Sequence, residues 1–315
     1  MQSKITCNPD NDLTAAVPDG EMRRWVVVTF VVGVALQLAA VLVGVREGGM
    51  LWLGLTMWAP TMGTLAAGPR CRALAWQATR RLSWRWWGVG LLIGFAPKLL
   101  QTTTLMLTGL GTWQHERFEL TADGGAVAAV HGVGMLLGTG PQSFPALAAN
   151  LALTLVVSAV LVAIVGGIGE EVGWRGVLQP VLERRQGRVR GTVVVGLLWA
   201  AWHLPANLAG YNDAQHPVWS ALVFFPLAVV AMSFSFAWLR ARSASVWPVA
   251  LAHGANNTLG DAFLFGTTDW ATNTALEVLS MALVAVVVVL LLRRRPWPSC
   301  RNGDVTVRDM EGASM

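Results

Sequence analysis

Few ionisable side chains lie within the long apolar stretches of this 315-residue chain, and those that do are of the types that hydrolytic enzymes use. A charge at the centre of a bilayer costs about 2.5 to 3.5 kcal/mol on insertion scales, so residues of this kind are usually paired or functional. The candidate site residues are Glu170, Glu171, Arg175, His203, His253 and Asn257.

Their spacing places them in pairs on helix faces, because residues four apart on a helix are neighbours. The three pairs are Glu171 with Arg175, Trp199 with His203, and His253 with Asn257. Pairing with the arginine would offset much of the cost of burying the glutamate. Three helices therefore each carry one polar stripe in apolar surroundings, and we expect the stripes to converge.

Convergence would bring together the groups needed for hydrolysis. Two adjacent carboxylates resist being ionised together, so one tends to hold a proton while the other stays charged. With Arg175 pairing its neighbour, Glu170 is left to take a proton from water, assisted by His203. His253 and Asn257 could donate hydrogen bonds to a developing oxyanion. Base, water, oxyanion donors and exclusion of bulk solvent are the parts of a peptide-bond hydrolase.

The same residue types also bind divalent metals. Glu170, His203 and His253 could ligate zinc, since imidazole and carboxylate are common zinc ligands. That ligand set competes with an oxyanion role for His253, so the preferred interpretation uses no cofactor. The three cysteines are scattered without CxxC spacing and indicate neither a thiolate metal site nor a disulfide framework.

Each pair also has a structural explanation when it is taken alone. The Glu171–Arg175 pair could end a helix at the lipid headgroups, and His203 could be a packed, hydrogen-bonded histidine. The third pair could hold helices together, because Asn and His bond across helices in membranes. The joint occurrence of all three favours a site. Lys98, isolated in its own apolar stretch, could pair with a carboxylate or line the cavity.

The composition is that of a membrane protein. Hydrophobic residues make up 54% of the chain and charged residues 13%, whereas soluble domains carry about 25% charged residues. We predict a multi-pass protein of the cell membrane, whose partners are membrane lipid and a peptide or lipidated protein. The net charge of +5 does not indicate a nucleic-acid partner, because the arginines follow the topology.

The apolar stretches predict an all-α, polytopic transmembrane helical bundle. A transmembrane helix needs about 20 apolar residues, and eight stretches qualify: about 25–45, 48–69, 86–111, 147–169, 191–210, 218–239, 244–265 and 274–292. Residues 1–22 are expected to be a tail and not a signal peptide, 23–295 the transmembrane domain with its motif-bearing core at 147–265, and 296–315 a disordered tail. The Gly-rich stretch 121–146 is expected to be a long loop, functional or partly re-entrant.

Arginines predict the orientation of the bundle through the positive-inside rule. With eight spans and a cytoplasmic N-terminus, only Arg46 and Arg117 lie on the outer side. Sixteen arginines flank the spans on the cytoplasmic side: Arg23, Arg24, Arg70, Arg72, Arg80, Arg81, Arg85, Arg184, Arg185, Arg188, Arg190, Arg240, Arg242, Arg293, Arg294 and Arg295. Both termini are therefore expected to be cytoplasmic.

Three short sequences, "EEVGWRG", "WAAWH" and "HGANN", resemble the motifs of the CPBP family of intramembrane proteases. This family includes the type II CAAX prenyl endopeptidases and the bacteriocin self-immunity (Abi-like) proteins. The positions that match the motifs are Glu170, Glu171, Trp174 and Arg175, then Trp199 and His203, then His253 and Asn257. Pro60 fits an earlier and weaker feature of the family.

The resemblance spans about residues 50–265 and implies a helical bundle with a cavity open to the cytoplasmic leaflet. It implies that Glu170 activates water with His203, while His253 and Asn257 stabilise the oxyanion. The implied activity is an intramembrane endopeptidase of the CAAX-processing type, acting on a membrane-embedded or prenylated peptide. Members of the family are often labelled metalloproteases, although we prefer a metal-free glutamate mechanism.

Two other functions fit the same residues. A non-catalytic membrane protein could confer immunity to a secreted peptide by sequestering it, or serve as a scaffold in a membrane complex. A small transporter could use the carboxylates as a proton relay, but the chain has no inverted repeat that would support it.

Overall fold

The computed structural model describes residues 17–113, 119–120, 125–127, 135–138, 140–258, 265–267 and 269–293, and its fold is 84% helical. The α-helices are α1 Asp19–Val43, α2 Met50–Thr56, α3 Ala59–Ala67, α4 Pro69–Thr79, α5 Trp87–Thr108, α6 Phe144–Val162, α7 Ile168–Gly173, α8 Gln179–Gln186, α9 Arg188–Trp202, α10 Leu204–Leu208, α11 Pro217–Trp219, α12 Phe225–Ser243, α13 Trp247–Thr258 and α14 Trp270–Arg293. A 3₁₀ turn covers Trp84–Trp86, and π turns cover Gly44–Gly48, Ala163–Gly167, Trp174–Leu178 and Ser220–Phe224. The predicted tail 296–315 lies outside the described residues.

Short strands form two small sheets on the helical frame. The strands are β1 Thr112–Trp113, β2 Glu119–Leu120, β3 Gly125–Val127, β4 Pro141–Ser143 and β5 Phe265–Gly266. The first strand pairs antiparallel with the last, and β2, β3 and β4 form an antiparallel sheet in that order. The described part of the Gly-rich stretch 121–146 therefore contains strands, which its sequence did not predict.

The protein is an all-α polytopic membrane protein, as its composition predicts. Among the described residues, five helical stretches are long and apolar enough to cross a membrane: Asp19–Gly48, Trp84–Thr108, Phe144–Gln186, Pro217–Ser243 and Trp270–Leu290. The other three predicted spans correspond to shorter or broken helices: α2 with α3, α9 with α10, and α13. The count of eight spans and the cytoplasmic termini stay predictions.

The outside of the bundle carries the apolar surface that a bilayer would cover. Large hydrophobic side chains point outward from every long helix, and Leu42, Leu107 and Leu161 are each more than half exposed. Soluble monomers rarely expose contiguous apolar patches of more than a few hundred Å². The buried side, by contrast, holds polar side chains such as Gln37, Asn150 and Thr154.

Two predicted boundaries differ from the structure. Helix α1 begins at Asp19, inside the predicted tail 1–22. Helical structure also continues from Phe144 to Gln186 through both π turns, so Glu170 and Glu171 lie in mid-helix and not after a helix end. Both carboxylates are buried. The charged residues that end the apolar pattern therefore lie inside the helix and not beyond its end.

Helix α13, which carries His253, lies at the centre of the packing. It contacts α5 and α6, while α12 bridges α9 and α14, and α3 packs on α1 and α7. Close approach depends on glycine: a Cβ at Gly254 would overlap the carbonyl of Ala159 in α6, and one at Gly94 would overlap the carbonyl of Ala252. These contacts bring α7, α9 and α13 to one side of the core.

Candidate active site

Glu171 is the link between the first and third motifs. Its Oε1 accepts a hydrogen bond from Nη1 of Arg175 at 3.2 Å and lies 2.9 Å from Nδ1 of His253. The side chains of Glu171 and Arg175 are fully buried, and that of His253 is nearly so. Because a carboxylate only accepts hydrogen bonds, Nδ1 of His253 carries the proton of this contact and Nε2 is left for other partners.

Arg175 is held in place by more than its ion pair. Its Nη2 donates to Oγ of Ser233 on α12 at 3.1 Å, and its guanidinium carbon lies 4.2 Å from the ring centroid of Trp199. A second ring, that of Phe236, lies 5.0 Å from the same carbon. Cation–π contacts of this kind contribute more when they are desolvated, so the arginine is fixed from two neighbouring helices.

Glu170 points to a different partner from its neighbour. Its Oε2 accepts a hydrogen bond from Nε1 of Trp199 at 2.6 Å, and the residue is 2% exposed. The adjacent glutamates therefore have separate environments: Glu171 faces charged groups, whereas Glu170 faces a neutral donor. The two carboxylates therefore differ in the partners that they contact.

Trp199 connects all of these groups. Its ring lies 5.4 Å from that of His253 in an edge-on arrangement and 6.0 Å from that of His203. The ring also packs against Phe236 at 6.1 Å. Trp199 therefore supplies a hydrogen-bond donor to Glu170 and packs against both imidazoles.

His203 lies where the fifth predicted span breaks. Helix α9 ends at Trp202, and Pro205 follows in α10. The imidazole Nδ1 lies 2.8 Å from the carbonyl oxygen of Trp199. Since a carbonyl only accepts, Nδ1 carries the proton and Nε2 can accept one. The ring is partly exposed and packs edge-on against Trp202 at 4.7 Å and Phe225 at 5.0 Å.

Asn257 is the one motif residue placed away from the buried groups. Its side chain is exposed, and the hydrogen bond recorded for it comes from Asn256 at 3.5 Å. The structure brings the glutamates, Arg175, Trp199 and both histidines together, but it gives Asn257 no hydrogen bond to them among the described residues.

Asn256 is a site-adjacent residue that the spacing rule did not select. Its Oδ1 is buried without a hydrogen-bond partner among the described residues. The residue lines a small cavity together with Phe236 and Ser235 of α12. The two adjacent asparagines in "HGANN" could have indicated either residue. The four-residue spacing from His253 selects the second, Asn257, and not Asn256.

Side chains in and just before α3 donate hydrogen bonds to the backbone of α7 and of the π turn that precedes it. Oγ1 of Thr61 donates to the carbonyl of Gly169 at 2.6 Å, and Nε1 of Trp58 donates to the carbonyl of Val165 at 2.7 Å. Side-chain donors are needed here because a π turn disturbs the regular backbone ladder. Pro60 packs so closely on Gly173 that a Cβ there would overlap it.

Lys98 forms an ion pair with a carboxylate of α14. Its Nζ lies 2.8 Å from Oε1 of Glu277 on α14, and both side chains are at least partly buried. One turn further along, Nε2 of Gln101 donates to Oδ1 of Asn273 at 2.8 Å. These contacts form a polar seam between α5 and α14.

The residues predicted to hold a zinc ion, if one is bound, are Glu170, His203 and His253. No group of three or more His, Cys, Asp or Glu residues is placed to hold a metal ion in the described ranges. Oε2 of Glu170 accepts from an indole and Nδ1 of His253 contacts Glu171, so a metal would be bound through Oε1 of Glu170 and Nε2 of His253.

Comparison with known proteins points to the same family as the motifs. A family model described as "Type II CAAX prenyl endopeptidase Rce1-like" matches residues 152–259, which include α7, α9 and α13. The CAAX prenyl protease 2 of Methanococcus maripaludis is 30% identical over 74 residues. That alignment covers 22% of this chain and 27% of the relative, so the chain spans about a quarter of the length of the protein it matches. The family resemblance read from the motifs is thereby confirmed.

Proposed function

We propose, since residues 152–259 match the Rce1-like type II CAAX prenyl endopeptidase family, that this protein is an intramembrane endopeptidase. Its substrate would be a membrane-embedded or prenylated peptide. The observation that carries the proposal is the buried cluster in which Glu170, Glu171 and His253 meet Trp199 inside an apolar bundle. Such a cluster is costly to bury and contains an acid–base pair.

Glu170 is the proposed general base. Its carboxylate takes a proton from a water molecule, and the resulting hydroxide attacks the carbonyl carbon of the scissile peptide bond. The same carboxyl group then gives the proton to the leaving amine as the C–N bond breaks. Nε2 of His203, unprotonated while Nδ1 is bound to the Trp199 carbonyl, would orient the water. A base placed in this way contributes about a hundredfold or more to the rate.

His253 is the proposed electrostatic partner of the oxyanion. With Nδ1 held by Glu171, a protonated ring presents Nε2–H on its opposite side. The charge of Glu171 is shared with Arg175, so the ring orientation is fixed by a buried pair. Asn257, exposed next to Asn256, would join this role by contacting bound substrate. Donors held in place before the reaction stabilise developing charge without reorganisation.

The test uses the full chain reconstituted in nanodiscs with a farnesylated peptide and the same peptide without lipid. We expect Glu170→Gln to reduce cleavage about a hundredfold or more, because the amide cannot accept the proton. Glu183→Gln is the matched control: this carboxyl lies on α8 and accepts from Nε2 of Gln179 at 2.7 Å, outside the cluster.

Each outcome of the cleavage assay has a defined meaning. Wild-type cleavage by Glu170→Gln would show that the base is assigned wrongly. An equal loss of cleavage in Glu183→Gln would mean that removing a buried carboxylate impairs folding wherever it lies, and not that Glu170 has a special role. If the wild-type chain cleaves neither peptide, protection or scaffolding without catalysis becomes the better explanation. Cleavage of both peptides at one rate would show that the lipid is not recognised.

A further inference from the structure

Segment 69–86, which comprises α4 and the turn that leads into α5, has two faces of opposite character. Its inner face consists of small and apolar residues at helical spacing, namely Cys71, Leu74, Ala75 and Ala78, and all four are buried. Its outer face carries exposed arginines and tryptophans. The segment contains no Asp or Glu, so its arginines have no acidic neighbour along the chain.

The outer face is a continuous stripe. Arg72, Trp76 and Arg80 are spaced four apart, so they lie one above the other on α4. The stripe continues past the helix end with Trp84 and Arg85, both of which are exposed. The two indoles are 67% and 73% exposed, more than any other tryptophan in the described ranges.

The stripe adjoins one end of a stretch that could cross a membrane. Trp84 opens the stretch Trp84–Thr108, which is long and apolar enough to cross a bilayer. Tryptophan side chains concentrate at the membrane–water interface, where one side of the ring is apolar and the N–H can stay hydrated. Arginines next to such rings reach the phosphate level of the headgroups.

The stripe is also held rigidly. Oγ of Ser83 donates to the carbonyl of Ser243 at 2.7 Å, and Nε1 of Trp247 donates to the carbonyl of Thr79 at 2.8 Å. The backbone N–H of Val246 donates to the carbonyl of Ala78 at 3.1 Å. These bonds fasten the segment to the connection between α12 and α13, so its exposed side chains are presented from a fixed scaffold.

We propose that this outer face, defined by Arg72, Trp76, Arg80, Trp84 and Arg85, is a binding surface for anionic phospholipid headgroups. The positive charge of a segment that contains no Asp or Glu is complementary to phosphate, and each arginine near an anionic surface contributes to the attraction. The indoles insert beside the headgroup and fix its position. Neutral lipid lacks the net negative charge and binds less tightly.

Lipid bound here would act on the structure that holds the candidate site. The inner face of α4 packs on the π turn Trp174–Leu178, which contains Arg175. The same segment is bonded to the start of α13, the helix that carries His253. A lipid headgroup bound to this surface would therefore stabilise the π turn that carries Arg175 and the helix that carries His253, the two partners of Glu171. The binding itself does not depend on the chain being a protease.

The experiment measures lipid binding and not cleavage. The full chain is reconstituted in nanodiscs of phosphatidylcholine containing about one third phosphatidylglycerol, a fraction chosen to give the disc a negative surface. Native mass spectrometry then counts the lipids of each class that the released protein retains. We expect the wild-type chain to retain phosphatidylglycerol in excess of its share, and the excess to fall in high salt, since salt screens exposed charges.

The variant Arg80→Gln/Arg85→Gln removes two charges from the surface and should reduce the preference for phosphatidylglycerol about tenfold. Arg23→Gln/Arg190→Gln is the control, because it removes two exposed arginines from elsewhere and should keep the preference. Trp76→Ala/Trp84→Ala keeps the charge and should weaken retention of both lipid classes.

An unchanged preference in Arg80→Gln/Arg85→Gln would overturn the proposal. So would an equal loss in the control, which would show that net charge and not this surface attracts the lipid. If the arginine variant unfolds at a different temperature from the wild type, its lipid preference could reflect altered folding, and the tryptophan variant then becomes the test. In that case, retention at the wild-type level by Trp76→Ala/Trp84→Ala overturns the proposal.

Discussion

At the scale of single residues, the candidate site depends on how two adjacent glutamates are kept different. Glu171 shares its charge with Arg175 and His253, while Glu170 receives a neutral indole N–H from Trp199. Removing one member of a buried ion pair is far more harmful than removing both, because it leaves a buried charge without compensation. The pair therefore gives a stability test that does not require any substrate.

Arg175→Met should lower the free energy of unfolding by about 3 kcal/mol or more, since Glu171 would stay buried beside fewer positive charges. The double variant Glu171→Gln/Arg175→Met should recover part of that loss. Stability would be measured by reversible unfolding of the full chain in mixed micelles with increasing SDS.

Arg185→Met is the matched control for this measurement. Arg185 lies 2.7 Å from Asp19, but both side chains are more than a third exposed. Exposed pairs contribute about 1 kcal/mol or less, and Nη2 of Arg185 also donates to the carbonyl of Val17 at 2.8 Å, so the loss should be smaller than that of Arg175→Met. Equal effects of the two methionine substitutions would mean that the Glu171–Arg175 pair is not held in a buried environment.

At the scale of elements, the site depends on the close packing of α13 against its neighbours. His253 can reach Glu171 because the next residue, Gly254, lets the helix approach the backbone of α6 at Ala159. Helix α13 is only 12 residues long, so it cannot be held in place by length alone. Small residues at helix contacts are a general means of close packing in membranes.

Gly254→Ala should destabilise the protein by about 2 kcal/mol, because the added methyl group has no space and α13 must move outward. The 2.9 Å contact between His253 and Glu171 should lengthen at the same time. Unfolding in SDS would report the first effect, and cleavage of the farnesylated peptide would report the second.

Gly88→Ala provides the comparison for that substitution. Gly88 also lies in a helix, α5, but a Cβ there would meet no atom within 4 Å. Alanine favours the helix over glycine by about 0.5 to 1 kcal/mol, so this variant should be as stable as the wild type or more so. If Gly254→Ala behaves in the same way, the packing of α13 on α6 is not as close as the structure indicates.

At the scale of the whole molecule, charge and apolar surface should decide how the bundle sits in the membrane. The eight predicted spans place sixteen arginines on one side and two, Arg46 and Arg117, on the other. Arg46 is fixed on its side by hydrogen bonds from Nε and Nη2 to the carbonyls of Gly210 and Tyr211, at 3.2 Å and 3.3 Å. This asymmetry predicts a single orientation.

We expect reporters fused to the N-terminus and to the C-terminus to lie on the same, cytoplasmic side. Alkaline phosphatase, which is active only outside the cytoplasm, should be inactive at both termini, and green fluorescent protein should be fluorescent at both. A phosphatase inserted in the outer connection after Asn212 serves as the positive control. Opposite results at the two termini would mean an odd number of spans.

The sequence by itself determined the membrane class, the helical fold and the two glutamates, Arg175, Trp199 and His253 of the buried cluster, but not Ser233 or Phe236. Apolar run length and the four-residue spacing of Glu171 with Arg175 are properties of one helix, so they can be read along the chain. Tertiary structure decided the contacts between helices: Ser233 on Arg175, Thr61 behind Gly169, and the difference between Asn256 and Asn257. Those contacts depend on how each helix is rotated and how closely it packs, and sequence spacing within a single helix does not fix either quantity.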